Sequence, residues 1–267
     1  MNDPKIMELK KKYDFNNFIT ENEHAKIIDD FNRKLHFENR FFNENHPVFD
    51  LVKRKFDEHT ITLAQNELLY RARKIEDEDS KEIFTEKYFE EDFYGFNKKD
   101  SFVPPAKKIL ENRANSKGIP CLYTAKEEKT AIAEVRPLIG KKISVATIRP
   151  LRDLKLFDLF INPDLPHNEI YKQQSYAIWF GIALPFSIPY ECTSENEYLF
   201  TQCISEFIQI SGFDGIQYSS SLYEGGKNIA LFNCKHEDDG GKYDICEPFF
   251  SHICTVKRIE HCFEFFN

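Results

Sequence analysis

No CxxC pair, no glycine loop of full Walker spacing and no unbroken apolar run long enough to span a membrane occurs in the 267 residues. The longest apolar stretch, Ala177 to Tyr190, is interrupted by Gly181, Pro185, Ser187 and Pro189. A membrane helix needs about 20 mostly apolar residues, so this stretch is expected to be a buried segment. The opening MNDPKIMELKKKYDF carries charge throughout and has no apolar core, so neither a signal peptide nor an anchor is expected there. The seven cysteines are scattered and odd in number, which favours reduced core thiols in a cytoplasmic setting over a disulfide framework. Positive charge is in deficit: 36 Lys and Arg face 44 Asp and Glu, for a formal net charge of −8. That balance argues against a general binder of nucleic acid or of anionic membranes. Repeats and low-complexity tracts are also missing. What the chain does have is apolar bulk, 41% hydrophobic with 26 Phe, enough to build a core in one or two domains.

Up to about residue 66 the pattern is helical. Thr20-Glu21-Asn22-Glu23 fits a capping box, and Ile27, Ile28, Phe31 and Leu35 follow at three- and four-residue steps. A second helix is predicted from Pro47, which suits a first turn, with Val48, Leu51, Val52 and Phe56 facing inward. Residues 1–66 are therefore expected to form a helical N-terminal extension docked on a domain of residues 67–267.

Within that domain Leu68 to Lys74 alternates as a strand, with Leu69, Arg71 and Arg73 on one face. Residues 75 to 100 have no clean period, and Pro104-Pro105 marks a loop. Gly118 to Ala125 predicts a short buried strand. Glu127 to Arg136 predicts a helix with Ala131, Ile132 and Val135 buried and Pro137 ending it. Lys142 to Ile148, Leu154 to Leu159, Ile216 to Ser219 and Asn228 to Asn233 are further strands, and the tail from about Ser251 adds an edge strand. Tyr198 to Ser211 is the clearest helix, with Leu199, Cys203, Phe207 and Ile210 as its stripe and Gly212 as its stop. Strands interleaved with a few helices indicate a mixed α/β or α+β fold.

Four polar positions have surroundings apolar enough to bury them: Arg71 in a strand, Tyr123 at a strand end, Glu134 in the last turn of a helix, and the run Ser219-Ser220-Ser221. A negative charge at a helix C-terminus opposes the helix dipole, so something else should hold Glu134. Singly, each has an ordinary explanation: a surface arginine, a solvated glutamate, a turn of serines. His252, Cys254, His261 and Cys262 lack the spacing of a zinc module, and no metal is expected.

Taken together the motifs resemble a family. Asn112-Arg113-Ala114-Asn115, Gly118 to Tyr123 and Thr130 to Pro137 look like the central signature of the RES domain. Thr201-Gln202, Glu206 to Ile208, Gly212 to Ser220 and Gly225 to Asn228 look like its closing signature, so the resemblance spans roughly residues 67 to 235. It implies an ADP-ribosyltransferase-like bent, split sheet with flanking helices and an NAD cleft. It implies a bacterial toxin, normally paired with an antitoxin, that destroys NAD+ by cleaving its nicotinamide–ribose bond through phosphorolysis or hydrolysis. NAD+ is then substrate rather than cofactor, with inorganic phosphate as a conceivable co-substrate.

Carried over by position, Arg71, Glu134 and Ser220 match the family's Arg, Glu and Ser. Tyr123 matches a pocket aromatic, and Arg113 and Asn115 a polar pair. Arg73 shares a face with Arg71, and Ser219 and Ser221 compete with Ser220, so these alternatives stay open. A carboxylate suits the ribosyl cation that develops as nicotinamide leaves, a guanidinium suits the diphosphate, and an aromatic ring suits the cationic pyridinium. Two other readings remain beside this one: an ADP-ribosyltransferase acting on a macromolecule, and a non-catalytic nucleotide-binding module. A cognate antitoxin is expected as partner and a homo-oligomer is allowed for.

Overall fold

The computed structural model describes residues 23–76, 92–161, 174–188 and 198–259. Helix α1 (Glu23–Phe37) buries Phe31 and Leu35 of the anticipated stripe; the capping box at Thr20 falls outside the described residues. Helix α2 (Pro47–Lys53) starts on Pro47, and the side chain of His46 caps it by accepting from the Val48 amide at 3.2 Å. The other ring nitrogen of His46 meets Asp30 at 3.2 Å, tying α2 to α1. Strand β1 (Thr60–Leu63) comes next, then β2 (Leu69–Lys74), β3 (Leu122–Ala125), helix α3 (Glu128–Glu134), β4 (Lys142–Pro150) and β5 (Leu154–Leu159). Helix α4 (Gln174–Ser187), helix α5 (Leu199–Ile210), β6 (Gly215–Ser219), β7 (Lys227–Leu231) and β8 (Cys246–Thr255) complete the order.

The eight strands among the described residues join one mixed sheet in the order β1-β5-β6-β7-β3-β2-β4-β8, antiparallel except for the β5–β6 pair. This is the mixed α+β fold that the alternation of patterns suggested. The sheet has a weak seam. Strands β2 and β3 share a single register pair, Tyr70 with Ala125, whereas β2 pairs with β4 along six residues and β3 with β7 along four. The seam divides a five-strand half, β1 to β3 in spatial order, from a three-strand half of β2, β4 and β8. Backbone pairing is the main bond between neighbouring strands, so two strands held at one point diverge and leave a cleft.

The segment before residue 67 packs on the rest of the chain. Phe31, Leu35, Val48 and Val52 are fully buried in one core with Phe157, Phe186, Ile204 and Ile216, and β1 supplies the edge of the sheet by pairing with β5. At roughly 25 cal/mol per Å² of apolar surface, helices that bury whole Phe and Leu side chains are integral to the fold. Helix α5 corrects the expected stripe. Phe200, Ile204 and Ile208 are buried, while Ile210 is 82% exposed and Phe207 packs at the margin against Phe49, with ring centroids 4.5 Å apart. The helix carries two adjacent apolar rows, and spacing alone does not say which one meets the sheet. Cys121, Cys234 and Cys246 are buried free thiols, and none of the described helices is long and apolar enough to cross a membrane.

Candidate active site

The cleft at the seam is a cavity of about 310 Å³. Tyr70, Arg71 and Ala72 of β2 form one wall and Tyr123, Thr124 and Ala125 of β3 the other. Ala131, Glu134 and Val135 close one side from α3, with Tyr218 of β6, Asn228 of β7 and the 112–113 loop completing the lining.

Glu134 is the last residue of α3, where the free carbonyls of the helix repel its charge. Two donors compensate. Ser220 Oγ and Asn228 Nδ2 each donate to its Oε1 at 2.7 Å. The residue is solvent-exposed, so the carboxylate sits at an open mouth and is not buried as its apolar sequence surroundings suggested. Val135 caps the helix, and Arg136 takes a left-handed conformation at φ 45°, after which Pro137 forbids another turn. The buried residues of α3 are Thr130 and Ala131, with Ile132 and Val135 only half-buried.

Ser220 sits beside Glu134. Its hydroxyl gives its proton to Glu134 and accepts the amides of Leu222 at 3.1 Å and Tyr223 at 3.0 Å. A hydroxyl has one donor and two lone pairs, so Ser220 is saturated and does not line the cavity. It holds Glu134 and its own turn. Ser219 is spent on Ile161, donating to its carbonyl at 3.2 Å and accepting its amide at 2.9 Å, and Ser221 lies outside the lining.

The turn after Ser220 needs glycine at its far end. A Cβ on Gly226 would lie 2.6 Å from Thr130 Oγ1 and 2.8 Å from Thr130 Cγ2, and the Gly226 carbonyl accepts the Ser220 amide at 2.9 Å. Replacing Gly226 with alanine is therefore expected to cost about 1–3 kcal/mol in overpacking and to drag Ser220 off Glu134. Thermal unfolding checks this: the loss should shrink when Thr130→Ala is combined with Gly226→Ala, because the clash is with that side chain.

Arg71 faces the cavity with its Nη1 buried and without a hydrogen-bond partner. Burial, and then the neighbouring charge of Arg73, pull its pKa down to about 9. It is still cationic near neutrality, so the free protein keeps on the cavity wall a half-buried cation whose Nη1 has no hydrogen-bond partner. Arg73, the alternative from the same strand face, is occupied elsewhere: it donates to the Asp100 carbonyl and lies over the Phe96 ring, 4.2 Å from its centroid. Both partners come from the aperiodic stretch before Pro104, which strand alternation could not anticipate.

Tyr123 presents its ring to the cavity while its hydroxyl is fully engaged, donating to Asn115 Oδ1 at 2.7 Å and accepting the Ala114 amide at 2.9 Å. Burial, then Cys121, push this phenol well above its usual range, so it stays neutral. Asn115 does not line the cavity. It is buried and donates through Nδ2 to the carbonyls of Leu110 and Ser116, each at 3.0 Å, to shape the 112–115 loop. Arg113, on that loop, reaches the cavity and donates to the carbonyls of Pro185 at 3.3 Å and Phe186 at 3.0 Å at the end of α4. Removing the Tyr123 hydroxyl would strip partners from a backbone amide and a buried carboxamide. Tyr123→Phe is expected to lower stability by about 1–3 kcal/mol, and an unchanged melting temperature would contradict this role for the hydroxyl.

Asn228 and Tyr218 are among the lining residues that the sequence reading did not single out as site residues. A carboxamide opening the otherwise apolar strand Ile229-Ala230-Leu231 was a visible signal, because a buried amide needs a partner. Tyr218 is 5% exposed, and no hydrogen bond reaches its hydroxyl from the described residues. Burial, then the negative charge of Glu134, raise its phenol, which remains protonated as a donor.

A family model for the RES domain matches residues 82–247, about three-fifths of the chain. Arg113, Tyr123, Glu134, Ser220 and Asn228 fall inside that match and Arg71 before it. A crystal structure of the M. tuberculosis MbcT–MbcA toxin–antitoxin complex is similar, with a TM-score of 0.44 at 13% identity over 77% of this chain and 92% of that one. A comparison with curated proteins returns no match. With the family match spanning more than half of its length, the chain belongs to the RES domain family.

Proposed function

We propose that the cleft cleaves the nicotinamide–ribose bond of NAD+, and that the protein acts as an intracellular toxin or defence effector restrained by a cognate antitoxin. The observation that carries this reading is the pairing of an anchored, solvent-accessible carboxylate with a half-buried guanidinium, whose buried Nη1 has no hydrogen-bond partner, on the same small cavity. Each answers one demand of the substrate. The diphosphate brings negative charge, and Arg71 has an unused N–H on the cavity wall. The ribose develops positive charge as its C–N bond stretches, and Glu134 supplies the opposite charge there.

The electron pair of that bond returns to the pyridinium nitrogen, so nicotinamide departs neutral and no general acid is required. The ribosyl carbon then takes an oxygen from water or from inorganic phosphate, giving ADP-ribose or its 1-phosphate; with water one proton is released. Tyr123 offers a ring face to the pyridinium before cleavage. Membership of the family supports the biological role, and the open mouth beside Glu134 suits attack by a small solvent-borne nucleophile.

The test is product analysis with NAD+ labelled in the ADP-ribose part, run with and without phosphate. Free labelled ADP-ribose or its phosphate, with stoichiometric nicotinamide, is the expected result. Label retained on a macromolecule would replace this reading with ADP-ribosyl transfer, and binding without turnover would leave a nucleotide-binding module.

A further inference from the structure

The two donors on Glu134 come from unequal supports. Ser220 belongs to a turn, where the amides of Leu222 and Tyr223 donate to its hydroxyl oxygen while its proton goes to Glu134. Asn228 belongs to β7, with Ala125 of β3 on one side and Tyr218 of β6 on the other, and is only 4% exposed. Its carboxamide is locked by burial between two paired neighbours, and its Nδ2 aims at the same oxygen that Ser220 reaches.

The geometry points to Asn228 as a positioning residue that decides which oxygen of Glu134 does the work. Each carboxylate oxygen accepts about two hydrogen bonds. Oε1 already holds two, from Asn228 and Ser220, while no described residue bonds Oε2. Oε1 is the tether and Oε2 is the oxygen turned to the ligand.

The restraint matters because Glu134 is exposed at a helix end, where a side chain with three rotatable bonds would otherwise sample several rotamers. Holding a reacting group in one near-attack geometry is worth orders of magnitude in rate, and a misplacement of about 1 Å costs about 100-fold. The consequence for turnover rests on the proposed NAD+ cleavage; the restraint itself belongs to the free protein.

Asn228→Leu keeps the volume and removes the donor, and Asn228→Asp keeps the shape and turns the donor into an acceptor. We expect kcat for nicotinamide release to fall about 10- to 100-fold in Asn228→Leu and further in Asn228→Asp. KM is expected to stay within about threefold, because ground-state binding through Arg71 is untouched. A purely structural role for Asn228 would instead lower the melting temperature and leave the surviving folded fraction with normal kcat.

Crystal structures of the wild type and of Asn228→Leu, or of Asn228→Ala if the leucine variant does not fold, decide the restraint without any turnover. Glu134 in more than one rotamer in the variant is expected. A single rotamer with Oε1 still on Ser220 overturns the proposal even if NAD+ cleavage is confirmed. Scattered rotamers in a protein whose wild type releases no nicotinamide would uphold the restraint and overturn the reaction.

Discussion

Arg71→Met is expected to weaken NAD+ binding by about 100-fold and yet to raise the melting temperature of the free protein. The two effects share one cause. Nη1 of Arg71 is buried without a hydrogen-bond partner, and the depressed pKa reflects desolvation and the nearby Arg73 charge. An unpaired buried donor costs about 1–3 kcal/mol, and more when it is charged. Methionine keeps the apolar stem and adapts to irregular space, so the cost disappears with the charge. At roughly 2–4 °C per kcal/mol for a chain of this size, the gain is a few degrees.

The ligand is expected to reverse the order. NAD+ at about 100 times its Kd stabilises a binding-competent protein by about 2.7 kcal/mol, and Arg71→Met forgoes that gain. Melting curves of both proteins with and without NAD+ measure all four values. A variant that melts lower than wild type and responds equally to NAD+ would make Arg71 a structural residue. Stability given up for a charge awaiting its counter-ion is a common feature of binding sites.

Glu134→Gln is expected to reduce turnover at least about 1000-fold, which corresponds to about 4 kcal/mol of transition-state stabilisation. The substitution isolates charge from geometry. The glutamine carbonyl oxygen can accept the same donors, Ser220 Oγ and Asn228 Nδ2, and its amide nitrogen then stands where Oε2 stood. Folding and NAD+ affinity should therefore change little. Loss of less than about tenfold in a folded variant would remove the carboxylate from the chemistry.

Much of the scaffold was legible because packing obeys local periods. Phe31 and Leu35 of α1, the run Val48 to Val52 of α2 and the strand from Leu69 are buried or paired as three-, four- and two-residue spacings suggest. Long-range choices were not. The pairing of β1 with β5 across about 90 residues and the single bridge between β2 and β3 depend on tertiary competition that no local pattern encodes. Helix α5 shows the same limit, since both of its apolar rows are plausible and only the surrounding sheet selects Phe200, Ile204 and Ile208.

At the site, residue type pointed to chemistry but not to division of labour. A carboxylate at the end of α3 predicted that something must hold it, and Ser220 and Asn228 do. Ser220 turned out to be support for Glu134, because its hydroxyl is exhausted by one carboxylate and two amides. Asn115 supports the loop that carries Arg113, and Arg73 supports the segment of Phe96 and Asp100. Each of these roles rests on which donors and acceptors are already used, and that depends on neighbours far away in the chain.

Quantifying free nicotinamide after mixing the purified protein with NAD+ bears most directly on the whole account. One molecule of nicotinamide for each NAD+ consumed, without added metal, is the predicted outcome. A folded protein that binds NAD+ and returns it intact would contradict it.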